Sequence, residues 1–181
     1  MALKICSRMS KGELLTRIPV WLALAGYVSG ASVYLISRGR RSWDAAARTA
    51  WTVGVISLVA HVACAYHFYH NWSHAAAYRE TARQTAEVTG LDWGGGLYIN
   101  YALIIGWVLD VALWRLRGLD VYRNRPGWLA AAWHGFLFFI IFNATVVFKT
   151  GPLRWIGLSL CLWLGFLWLL VNRAKLSGRS E

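Results

Sequence analysis

The chain has 181 residues, of which 57% are hydrophobic and only 15% charged, and its formal net charge is +11. Soluble domains carry about 25% charged residues, so this composition excludes an ordinary water-soluble globule and indicates an integral membrane protein. The nineteen Lys and Arg residues are scattered along the chain, as is typical of the basic flanks of membrane helices. We therefore expect a lipid bilayer as the environment and no nucleic-acid partner.

Five apolar runs are long enough to cross about 30 Å of hydrocarbon as α-helices. Each of the three prolines lies at or just before the start of a run, where a helix tolerates a missing N–H. The sequence predicts an all-α, polytopic membrane protein, a single domain over residues 1–181 with a bundle of about five transmembrane helices. The predicted spans are residues 18–37, 49–69, 97–114, 128–148 and 155–172.

The first run, residues 18–37, follows a basic leader but is too long for the apolar region of a signal peptide, so we expect a retained membrane helix. It contains the motif Gly26-Tyr-Val-Ser-Gly30, whose small residues let a second helix approach closely. That neighbour is either a helix of the same chain or a second copy in a homodimer, and the sequence leaves both open.

The second run, residues 49–69, leads into a crowded group of histidines: His61, His67, His70 and His74 lie within fourteen residues. Spacings of three and four place the last three on one face of a helix. Imidazole binds Cu, Zn or Fe well, so His67, His70 and His74 are candidate metal ligands. The alternative is that they are amphipathic residues at the headgroup level.

Residues 71–96 form the longest polar segment, and its first half is rich in helix-forming residues. We expect helix two to continue past the bilayer as a helical extension, braced by pairing of Arg83 with Glu80 and Glu87. Gly90 ends this extension, and three consecutive glycines then turn the chain into the third span.

The third and fourth spans contain polar groups that are costly inside a membrane. Asp110 is the only acidic residue within any predicted span, and such a residue is by default a functional candidate. It would pair either with His134 on the next span or with Arg115 at its own helix end. Further intramembrane polar candidates are Asn100 and Asn143.

A noncovalent haem b would need two histidines on different helices. His134 is the only histidine outside the crowded group, so the candidate axial ligands are His61 and His134, although their depths differ by about one helical turn or more. The sequence contains no phosphate-binding loop, dinucleotide fingerprint, nucleophile elbow or HExxH motif. We assign no catalytic residue.

Three functions fit these residues. The first is a small membrane redox or metal-handling protein that binds a transition metal or haem through its histidines. The second is a non-enzymatic accessory or assembly subunit, in which the histidines line an interface with a membrane protein partner. The third is a small proton or ion conductor that uses His61, Asp110 and His134.

The short flanks of the spans give a weak orientation signal. Eleven Lys and Arg residues lie on one side and eight on the other, which places the N-terminus outside by the positive-inside rule. Short loops are common in bacterial inner-membrane proteins, so we expect a multi-pass protein of that membrane.

Overall fold

A computed structural model describes residues 10–37 and 41–177, and these residues are almost entirely helical. Five helices are long and apolar enough to cross a membrane, an assignment that rests on their length and composition. A sixth, shorter helix, α3, lies between the second and third spans. The helices are α1 (Lys11–Ser37), α2 (Arg41–Tyr69), α3 (His74–Thr89), α4 (Gly96–Arg123), α5 (Gly127–Phe142, continued by a π-helical segment, Asn143–Val147) and α6 (Pro152–Ser177).

The helical extension after the second span is present, but as a separate helix and not as a continuation of α2. Helix α2 ends at Tyr69, and Asn71 and Trp72 then adopt left-handed backbone conformations with φ of 46° and 59°. The Ser73 hydroxyl accepts a hydrogen bond from the Ala76 amide at 3.2 Å and caps the start of α3. An N-cap serine favours a helix start over a helix interior, which explains the break.

Helices α1 and α2 pack against each other through small residues. A Cβ atom added to Gly26 would lie 2.7 Å from both the Ala50 carbonyl oxygen and the Gly54 Cα. A Cβ atom added to Gly30 would lie 3.0 Å from Trp51 Cε3, and both glycines of the motif are buried. The helix that approaches Gly26 and Gly30 is thus α2 of the same chain, so these two residues offer a second copy no free surface in this structure.

The core of the bundle is aromatic. The Trp51 and Trp107 rings lie 5.3 Å apart, and the Trp114 and Tyr122 rings stack at 4.4 Å. These four side chains are almost completely buried, and Leu137 from α5 packs into the same core. Large rings bury much apolar area with few rotatable bonds, so they hold α2, α4 and α5 in a fixed relation.

A break in α4 decides where its last residues lie. Gly118 has φ 80° and ψ 173°, which interrupts the helix before Tyr122. In a straight helix Asp110 and Tyr122 would be about 18 Å apart along the axis. The left-handed glycine instead folds the end of α4 back, so that residues after it reach Asp110.

Candidate functional site

The two predicted haem ligands lie at different levels of the bundle. The Nδ1 atom of His61 is 2.8 Å from the Thr16 carbonyl oxygen on α1. The His134 ring lies 5.9 Å from the ring of Trp51. Trp51 and His61 are separated by about 15 Å along α2, since both belong to one continuous helix. The structure therefore does not bring His61 and His134 together.

The three predicted metal ligands diverge because α2 ends at Tyr69, before the second and third of them. His67 packs edge-on against Phe68, and His70 packs against Tyr66. His74 begins α3 and faces tyrosines of α4. Within residues 10–37 and 41–177, no three His, Cys, Asp or Glu side chains lie close enough to hold a metal ion. The single helical face predicted for His67, His70 and His74 is wrong.

His74 instead belongs to a group that we call the tyrosine–histidine cluster, formed by Tyr66, His74, Tyr98 and Tyr101. The Tyr101 hydroxyl hydrogen bonds to the Tyr66 hydroxyl and lies 3.1 Å from His74 Nδ1. The Tyr98 hydroxyl lies 3.5 Å from His74 Nε2. The cluster joins α2, α3 and α4 at the end of the second candidate span and the start of the third, and Tyr98 is 56% exposed.

Asp110 occupies a second polar group, buried between helices. Its Oδ2 atom accepts hydrogen bonds from Trp51 Nε1 at 2.8 Å and from the Tyr122 hydroxyl at 2.9 Å. Its Oδ1 atom accepts from Arg125 Nη1 at 2.5 Å. Both side chains of this ion pair are about 7% exposed or less. The carboxylate is therefore fully surrounded by donors from three parts of the chain.

His134 is joined to Asp110 through Arg125 and not directly. Arg125 Nη2 lies 3.1 Å from His134 Nε2, and because a guanidinium only donates, Nε2 accepts and the imidazole is neutral. Burial opposes the charge of Arg125, but Tyr122 and Asp110 raise the pKa of its guanidinium above the ordinary value. Arg115, the alternative partner predicted for Asp110, bonds to the Thr52 hydroxyl at 2.9 Å.

A second ion pair lies beside the first. Arg123 Nη2 is 2.5 Å from Asp44 Oδ1 and 3.1 Å from the Ser37 hydroxyl. The Arg123 guanidinium also lies over the Tyr34 ring, 5.5 Å from its centroid. These contacts join α1, α2 and the end of α4. We call the two ion pairs together, Asp44–Arg123 and Asp110–Arg125, the buried ionic centre.

Sequence reasoning missed Arg123 and Arg125 as partners of the acids. In the sequence both arginines have the pattern of ordinary cationic flanks of a span. Along a straight helix they would lie far from Asp110. The signal was Gly118, since a glycine near a helix end commonly permits a left-handed reversal. The two intramembrane asparagines lie apart from the centre: Asn100 is exposed, and the Asn143 amide donates to the Phe139 carbonyl at 2.8 Å.

Comparison with protein families, curated proteins and solved structures found no match for this chain.

Proposed function

We propose that this protein is a non-enzymatic accessory or assembly subunit of a membrane complex. The observation that carries this proposal is the environment of Asp110, whose carboxylate accepts from Trp51, Tyr122 and Arg125 at 2.5 to 2.9 Å. Charge-assisted hydrogen bonds fix a carboxylate in one position. Asp110 therefore acts as a tie between helices, because its donors come from α2, from the end of α4 and from the residues that follow α4.

The separation of the polar groups also favours a structural role over conduction. His61 lies about 15 Å along α2 from Trp51 and Asp110. Apolar residues of the core, among them Val55 and Leu58, fill the interval on that helix. A conductor would need water or titratable groups across this distance, so the three residues His61, Asp110 and His134 act separately in this proposal.

The contact surface for a partner is formed by the last turn of α2 and the turn that follows it, with His67, His70, Asn71 and Trp72. Asn71 and Trp72 both have positive φ, which costs on the order of 1–3 kcal/mol for each non-glycine residue. Trp72 is nonetheless 65% exposed. The Trp72 ring lies 6.1 Å from the ring of Tyr66, so α2 holds this exposed indole in place. A positioned, exposed indole supports a binding role, because tryptophan is enriched among interface residues that contribute most to affinity.

The test is photo-crosslinking in native membranes with a photoreactive amino acid in place of Trp72. The matched control replaces Trp155, a tryptophan at the same end of the bundle with 68% exposure. We expect position 72 to give a discrete protein adduct and position 155 to give lipid adducts. Lipid adducts alone at both positions would overturn the proposal, because Trp72 would then serve as a lipid anchor.

A second measurement separates the competing functions. The wild-type protein purified without chelators is examined for a Soret band and bound metal, and then for proton flux in vesicles. Under this proposal the protein is colourless and metal-free and supports no flux above that of empty vesicles. Stoichiometric metal or haem that is lost in His70→Ala with His74→Ala would establish the redox class, and flux lost in Asp110→Asn would establish a conductor.

A further inference from the structure

An elongated apolar cavity of about 150 Å³ lies between α1, α4 and the α5–α6 hairpin. Its inner end is formed by Tyr27, Trp107 and Leu137, which are buried in the core. Its outer end is formed by Lys149 and Leu153, where α5 meets α6. Leu137 lies in the middle of the candidate span Gly127–Val147 and Lys149 follows its end, so the cavity extends from the middle of the bundle to one end of it.

The π-helical segment forms part of the cavity wall. Ala144 and Thr145 line it, and the Thr145 hydroxyl donates to the Ile141 carbonyl at 2.7 Å. This internal hydrogen bond leaves the wall apolar. On α6, Gly157 permits very close approach to this segment, because an added Cβ would lie 2.4 Å from Thr145 Cβ. Single π-turns inside α-helices occur frequently at functional sites.

The outer end of the cavity is positively charged. Lys149 is exposed between the spans Gly127–Val147 and Pro152–Val171, at the level where a membrane surface would lie. Residues 143–180 contain no Asp or Glu, and Arg154 adds a second cation to the hairpin. An apolar cavity that ends at a lysine, in a segment without acidic residues, matches a molecule with an apolar chain and an anionic head.

We propose that this cavity binds one acyl chain of an anionic phospholipid, with the phosphate of the headgroup at Lys149. The volume fits part of an acyl chain and is far too small for a helix, whose diameter with side chains is about 10–12 Å. Empty apolar cavities of this size stay free of water and accept apolar molecules. This lipid site is separate from the partner surface around Trp72. A negative result for the lipid site would leave the proposal about the partner unchanged.

The test uses a phosphatidylglycerol with a photoreactive group on one acyl chain, in vesicles of phosphatidylcholine that contain the purified protein. We expect adducts within residues 137–149, more abundant than those from phosphatidylcholine carrying the same photoreactive chain. The variant Lys149→Gln should lower this preference about fivefold, the factor expected for one cation near an anionic headgroup. The control Arg154→Gln removes a cation of the same hairpin that does not line the cavity.

A second pair of variants tests the cavity itself. Ala144→Phe places a ring in the cavity wall and should abolish the adducts. Ala131 is exposed like Ala144 but does not line the cavity, so Ala131→Phe should leave the adducts unchanged. If Ala144→Phe does not fold, the comparison of Lys149→Gln with Arg154→Gln by itself decides whether an anionic phospholipid binds at this cavity. Equal labelling by the two phospholipids, labelling unchanged by Lys149→Gln, or labelling by a free fatty acid and not by phosphatidylglycerol would each overturn the proposal.

Discussion

The buried ionic centre and the tyrosine–histidine cluster both tie three parts of the chain together, but they differ in exposure. Asp110 and Arg125 have side chains that are 7% exposed or less, whereas Tyr98 is 56% exposed. A polar contact is stronger where water is excluded, and an unpaired group there costs more. We therefore expect the loss of a partner to cost more stability in the ionic centre than in the cluster, because the cluster lies closer to solvent.

Removal of one charge from the ionic centre should have the largest effect. Asp110→Asn leaves Arg125 buried without its counter-charge, and loss of one partner of a buried ion pair costs about 3–5 kcal/mol. The measurement is the free energy of unfolding in mixed micelles. The double variant Asp110→Asn with Arg125→Gln should recover part of this loss. If Asp110→Asn lowers the free energy of unfolding by less than about 1 kcal/mol, the ionic centre contributes no more to stability than we expect of the tyrosine–histidine cluster.

The second largest effect on stability should come from a substitution that separates α1 from α2. In Gly26→Leu the added side chain meets backbone atoms of α2 at 2.7 Å, so α1 must move and draw Ser37 away from Asp44. Overpacking of this kind costs about 1–3 kcal/mol. Gly165→Leu is the control, because a Cβ at Gly165 meets nothing within 4 Å. Equal melting temperatures for the two variants would contradict the packing described here.

Loss of the central hydroxyl of the tyrosine–histidine cluster should have a moderate effect. Tyr101→Phe removes hydrogen bonds to both Tyr66 and His74, and we expect a loss of about 1 kcal/mol in the free energy of unfolding. Tyr69→Phe, at an exposed position at the end of α2, should change it much less. If Tyr101→Phe lowers the free energy of unfolding as much as Asp110→Asn does, the difference in exposure does not determine how much the two regions contribute to stability.

The smallest expected effect on stability comes from the ion pairs on the solvent-facing side of α3. Hydrogen bonds from Arg83 lower the pKa of the Glu80 carboxyl to about 2 from a usual value of 4.5. Because the folded-state pKa is depressed, this contribution is complete above about pH 4.5 and is lost as the pH falls towards 2. The hydrogen-exchange protection factors of α3 amides, corrected for the intrinsic exchange rate at each pH, should fall over that interval in the wild type and not in Glu80→Gln. Asp92→Asn, also exposed but beyond α3, should behave as the wild type.

The histidines show how far sequence reasoning reaches into the site. Spacing along the chain predicted one shared face for His67, His70 and His74, on the assumption that the helix continued. The cap at Ser73 and the left-handed residues Asn71 and Trp72 interrupt it. Small differences in free energy decide whether a serine caps a new helix or lies inside a continuing one. The strong helix formers after Ser73 are compatible with both outcomes, so the sequence did not reveal the break.

Composition and the positions of charged residues by themselves determined the helical class, the number of apolar spans and the helical character of the segment after the second span, because apolar length and helix propensity are local properties. They did not show that this segment is a separate helix. Only the tertiary structure decided that Gly26 and Gly30 receive α2 of the same chain and that Asp110 pairs with Arg125. It also decided that His61 and His134 lie apart. Pairing between distant residues depends on how the chain reverses, here at Gly118, and one left-handed glycine changes which side chains meet.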